Sequence, residues 1–90
     1  MLYMIVETYR PGAAAEIYRR ARSQGRMLPP GLEYLASWVD LDYAKCFQLM
    51  RTDERALIDV WMASWSDLVG FEVVAVRTSA EAAAAMAARP

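Results

Sequence analysis

Histidine is missing from the sequence altogether. Its absence excludes imidazole acid/base catalysis, His-activated nucleophiles, His-ligated haem and every zinc site that needs an imidazole. Cysteine is reduced to one residue, Cys46. An intrachain disulfide, a Cys-rich zinc site and a C-x-x-C redox pair are therefore excluded. Positive charge is not in excess: 10 Lys and Arg face 11 Asp and Glu, for a net charge of −1 and a pI of about 5.3. Nucleic-acid binders are as a rule basic, so no nucleic-acid partner is expected. The 4 glycines, Gly12, Gly25, Gly31 and Gly70, are scattered and build no phosphate loop.

An apolar run of membrane-spanning length is also lacking, because Asp59, Asp67 and Glu72 interrupt the stretch 57–76. Met1 to Glu7 carries no basic n-region, and no small-residue cleavage site follows. These features predict a cytoplasmic protein without a membrane partner. Asp40 and Asp42 share one predicted strand face, but hard cations want about six or more oxygens. The expectation is no metal and no cofactor.

What the chain does have is apolar residues. Ninety residues make a single domain, 1–90. Of them, 57% are hydrophobic, against roughly 45–50% in ordinary domains. For this mass, area scaling gives about 5,300 Å² folded and about 14,600 Å² unfolded, so a monomer buries only about 64% of its surface. An apolar excess on so small a chain points to a second subunit that covers part of it.

Leu2–Tyr9 is rich in β-branched and aromatic residues and is stopped by Pro11-Gly12, which predicts a strand and a turn. Residues 13–26 predict a helix, with Ala14, Ile17, Tyr18 and Ala21 on one face and Gly25 near its end. Leu32–Asp42 and Lys45–Arg51 predict a strand pair joined by a short hairpin. Residues 53–66 predict a second helix with Thr52 as N-cap and an apolar face of Leu57, Ile58, Trp61, Met62 and Trp65. Leu68–Thr78 predicts a fourth strand, and Thr78-Ser79-Ala80-Glu81 is a capping-box pattern opening an Ala-rich helix over about 79–88.

The order βαββαβ plus a C-terminal helix is the α+β, ferredoxin-like pattern, with an antiparallel four-stranded sheet that carries both helices on one face. Strand three has two apolar rows, Phe47 and Leu49 on one side and Cys46, Gln48 and Met50 on the other. The second face must be covered too. Two sheets packed face to face would do this, giving a homodimer, a dimeric α/β barrel.

Several short runs carry a family resemblance. They are Met1-Leu2-Tyr3-Met4 ahead of Pro11-Gly12, Tyr18-Arg19-Arg20, Gly25-Arg26-Met27, Pro30-Gly31-Leu32 and Ser37-Trp38-Val39. Cys46-Phe47-Gln48-Leu49-Met50, Trp65-Ser66-Asp67-Leu68 and Thr78-Ser79-Ala80-Glu81-Ala82 complete the set. Together they resemble a family of short bacterial proteins of unknown function, the DUF3303 type. That family is similar to the dimeric α/β-barrel superfamily, which includes cofactor-free monooxygenases, muconolactone-isomerase-like enzymes and stress-response barrels. The resemblance spans nearly the whole chain. It implies a fold and a dimer but brings no catalytic motif, and the lack of histidine removes a residue several of those enzymes use.

Five residues are candidates for a site. Glu7 shares a strand face with Tyr3 and Ile5. If that face lines the dimer interior, its carboxyl is desolvated, its pKa rises and it becomes a proton acceptor. The structural alternative is a strand-end residue that meets water or an arginine. Gln48 is either a ligand-orienting amide or a structural hydrogen bond across the dimer. Tyr3, Tyr34 and Trp38 are either pocket walls or core aromatics. Trp61 and Trp65 read as helix-to-sheet packing, Cys46 as an inert buried thiol, and the arginines at 19, 20, 22 and 26 as a solvated helix face.

Three functional readings follow. The first is a small homodimeric barrel that binds an apolar or aromatic small molecule, with Tyr3, Tyr34, Trp38 and Gln48 as ligand-binding residues. The second is a cofactor-free isomerase or monooxygenase with Glu7 as the catalytic proton acceptor. The third is an interaction module with a solid core.

Overall fold

The computed structural model describes residues 1–90. Its elements run β1 (Leu2–Tyr9), α1 (Ala14–Gln24), β2 (Glu33–Val39), β3 (Lys45–Arg51), α2 (Ala56–Ala63), β4 (Val69–Val76) and α3 (Ser79–Ala87). The four strands form one antiparallel sheet in the order β2-β3-β1-β4. This is the ferredoxin-like α+β arrangement expected from the sequence.

Strand pairing sorts the sheet into two faces. On one, three rungs run across the strands: Val39, Cys46, Glu7 and Phe71; then Ser37, Gln48, Ile5 and Val73; then Tyr34, Met50, Tyr3 and Ala75. This face is covered. Tyr3, Ile5, Met50 and Val69 pack with Ile17 of α1 and with Ile58, Trp61 and Trp65 of α2 and the turn after it. Ile5, Met50 and Ile58 are fully buried. The opposite face carries Leu2, Met4, Val6, Trp38, Phe47, Leu49, Val74 and Val76, and Trp38 is 56% exposed. The Glu7 row therefore lies under the helices of its own chain, not on the face left free for a second sheet.

β2 holds an irregularity that parity does not foresee. Tyr34 pairs with Met50 and Ala36 with the next residue, Leu49, so Leu35 is an extra residue in the strand. This is a β-bulge. Beyond it, Ser37 and Val39 share the covered face with Tyr34, and Trp38 is turned to the open one.

Helix ends differ from the sequence expectation where side chains compete for the backbone. α2 starts at Ala56, because Thr52 Oγ1 accepts from Glu54 N–H and makes a local turn instead of a helix cap. α1 stops at Gln24 because Gly25 takes φ 68. α3 does open with the Thr78–Glu81 capping box. It buries no residue. The hairpin between β2 and β3 closes through Asp40, whose carboxylate accepts from Ala44 and Lys45 N–H. That duty lies within the turn, and no group of three His, Cys, Asp or Glu side chains converges anywhere in the fold. No helix is long and apolar enough to cross a membrane.

A candidate ligand cavity between sheet and helices

A cavity of about 180 Å³ lies where α1 and α2 fail to close over the first two rungs. Glu7, Cys46 and Gln48 stand on its sheet side, with Trp61 and Trp65 on the helix side. Tyr9, Tyr18 and Arg26 also line it. Tyr18 is exposed and stacks edge-on against Tyr43, with ring centroids 6.0 Å apart.

The polar end is a short chain of hydrogen bonds. Arg26 Nε donates to Gln48 Oε1 at 3.1 Å, and Gln48 Nε2 donates to Glu7 Oε2 at 2.5 Å. An arginine can only donate, so the amide of Gln48 is fixed with its oxygen toward Arg26 and its nitrogen toward Glu7. The Arg26 guanidinium lies 3.6 Å over the ring of Tyr34. Tyr34 in turn shares a 2.7 Å hydrogen bond with Ser37.

Arg26 is placed by its backbone. Gly25 at φ 68 and Met27 at φ 60 turn the chain sharply at the end of α1. The carbonyl exposed there accepts both indoles, Trp61 Nε1 at 3.0 Å and Trp65 Nε1 at 3.1 Å. Trp61 of α2 and Trp65 of the turn after it thus do more than fill the core: they clamp the segment that carries the guanidinium.

Glu7 is 7% exposed. Burial pushes its carboxyl above the ordinary carboxylate range, opposed by hydrogen bonds from Gln48 and Cys46 and by the charge of Arg26. Desolvation, and then the charge of Glu7, push the Cys46 thiol up to about 12. The Tyr9 phenol is driven well above its usual value, first by burial and then by Cys46 and Tyr18. Of these three groups, Glu7 is the one whose shift runs upward from the carboxylate range toward neutrality.

Of the five candidate residues, Glu7 and Gln48 meet at the cavity. Tyr34 supports its edge through Arg26. Tyr3 sits one rung further on, in the packed core beside Met50. Trp38 is on the other face, moved there by the bulge. The residue that sequence reasoning missed is Arg26, assigned to a solvated helix face. Its only signal was the Gly25-Arg26 step at a helix end. Arg19 and Arg20 do serve structure. Arg20 makes a two-pronged bond to Asp67 and lies 5.5 Å from the centroid of the Trp65 ring, tying α1 to the turn before β4. Arg19 pairs with Glu16.

The model of one protein family, described as Domain of unknown function (DUF3303), matches residues 1–90. The chain belongs to this family. No curated protein matches it. Among solved structures it is similar to Rv0793 from Mycobacterium tuberculosis, with 17% identity and a TM-score of 0.52, over 88% of this chain and 97% of that one. At that identity the likeness of this DUF3303 protein to Rv0793 concerns the fold alone.

Proposed function

We propose that this DUF3303 protein is a small homodimeric barrel, acting in the cytoplasm, that binds an apolar or aromatic small molecule in the cavity between its sheet and its helices. The observation that carries this reading is the cavity itself: aromatic walls around one buried, oriented carboxyl. Ligand sites combine mostly apolar linings with a few placed polar groups in this way. A solid interaction module has no use for such a void. The dimer draws support from the free face of the sheet. Trp38, Phe47 and Val74 are all exposed there. The single chain exposes 5939 Å², above the roughly 5,300 Å² of a compact monomer of its mass. Its radius of gyration is 14.9 Å, where a compact chain of this length has about 12 Å.

A second reading, a cofactor-free isomerase or monooxygenase, rests on Glu7. A carboxyl raised by burial and aimed by a fixed amide is poised to accept a proton from a bound ligand. It differs from the first reading in requiring turnover.

Native mass spectrometry of freshly purified protein tests the proposal. The expected result is a dimer, with added mass from a co-purified small molecule or from a soaked single-ring compound. A monomer would remove the barrel. A dimer that retains no small aromatic compound at millimolar concentration would remove the ligand site.

A further inference from the structure

Arg26 is the feature of the cavity that the proposed function leaves unused. The ion pairs of the fold engage Arg19, Arg20, Arg51 and Arg55. Arg26 belongs to none of them. Its one side-chain hydrogen bond is given by Nε, to Gln48. Nη1 and Nη2 make none, so the donors best suited to a carboxylate are unspent. The group is nevertheless held in place. Contact with the Tyr34 ring holds the guanidinium from one side, the bond to Gln48 holds its Nε, and the two indoles on its carbonyl hold its backbone. A surface arginine that merely solubilises the protein needs none of these restraints.

The cavity limits what such an arginine can receive. Its 180 Å³ falls below the roughly 300–1,000 Å³ of sites for drug-sized ligands. An apolar cavity of about 150 Å³ accommodates benzene. One ring therefore fits beside Trp61 and Trp65.

Resting on the ligand-binding reading above, we propose that the ligand is a planar, single-ring carboxylate, with its ring in the aromatic part of the cavity and its carboxylate on Nη1 and Nη2 of Arg26. Binding is then selective for a negative charge at the lip.

The test uses the indole N–H resonances of the full chain in ¹⁵N-labelled protein. Trp61 and Trp65 report the cavity, and Trp38 on the opposite face is the internal control. The probes are benzoate, its neutral analogue benzamide, and benzylammonium. Benzoate is expected to shift Trp61 and Trp65 but not Trp38, and to bind roughly tenfold or more tightly than benzamide, the scale of a charge-assisted bond. Arg26→Met is expected to bring benzoate down to the benzamide level and leave benzamide unchanged. Arg26→Lys keeps the charge without the planar fork, so it serves if the methionine variant does not fold; its expected benzoate affinity is intermediate. Equal binding of benzoate and benzamide, unaffected by either variant, would overturn the anion selectivity and leave the cavity reading standing. Preference for benzylammonium would reverse the sign of the argument. No shift of Trp61 or Trp65 with any probe would remove the ligand site and this inference together.

Discussion

Replacing Gln48 by methionine asks the most of the site described above. Gln48 and Glu7 are 5% and 7% exposed, and the amide of one donates to the carboxyl of the other. Methionine keeps the length of the side chain and removes its polar atoms. Glu7 then stays buried without its main donor. An orphaned buried polar group costs about 1–3 kcal/mol, and more when charged. Gln48→Met is thus expected to lose about 2 kcal/mol at neutral pH. For a chain of this length that is a fall in Tm of about 8–16 °C. Glu7→Met orphans only the Gln48 amide nitrogen, since Gln48 Oε1 still accepts from Arg26, and it removes the desolvated acid. Its expected cost is about 1 kcal/mol. In the double variant both partners are apolar, and Arg26, exposed at the lip, turns to water. The double variant should be more stable than Gln48→Met alone, by about 1 kcal/mol or more.

The pH dependence of the same variants carries an independent sign. Glu7 has its folded pKa raised above the ordinary 4.5 by burial. Its contribution is therefore fully present below that ordinary value and is lost as pH rises through the folded value. Gln48→Met removes an interaction that lowers the folded value, so the loss continues to higher pH and grows larger. Urea unfolding at about pH 4 and about pH 7 should show the gap between wild type and Gln48→Met widening with pH. Single-variant costs that simply add, with a gap that does not change with pH, would refute the shared hydrogen bond.

Three further outcomes are expected. With its thiol pushed up to about 12 by burial, Cys46 should alkylate about tenfold or more slowly in the native protein than in urea at mildly alkaline pH, the lost thiolate fraction outweighing the higher nucleophilicity of a more basic thiolate; equal rates would mean an open cavity floor. Trp38→Ser combined with Phe47→Ser should shift sedimentation toward monomer and leave the Trp61 and Trp65 environments unchanged, whereas loss of the folded state would mean that the open face is part of the core. Thr78→Ala should speed amide exchange across α3, at a local cost of about 1 kcal/mol. Because α3 buries nothing, the Tm of the isolated chain should barely move.

The sequence was most legible where chain punctuation and periodicity agree. β1 and β3 have the bounds that their apolar residues and flanking turns predict, and the α3 cap is the one its Thr-x-x-Glu spacing predicts. Which row of β1 meets the helices was not legible. Leu2, Met4 and Val6 look as suited to a core as Tyr3 and Ile5, and the glutamate in the second row argues against burying it. The Gln48 amide on the neighbouring strand, with lesser help from Cys46 and the charge of Arg26, makes that burial tolerable. The bulge at Leu35 has no residue signature, since no glycine or proline marks it. Arg26 was hidden for a related reason: a helix-end arginine ordinarily faces water, and the backward turn over the sheet comes from two positive φ angles.

That bulge bears on how the strand can change length. Tyr34, Ser37 and Val39 serve the cavity side, while Ala36 and Trp38 serve the outer side. A deletion elsewhere in a regular strand exchanges its inside for its outside. Here the supernumerary residue is Leu35, and its removal would restore plain alternation while every other side chain kept its present address. The strand thus contains one place where the reading frame between sequence and surface can slip by a residue and land on the same two surfaces.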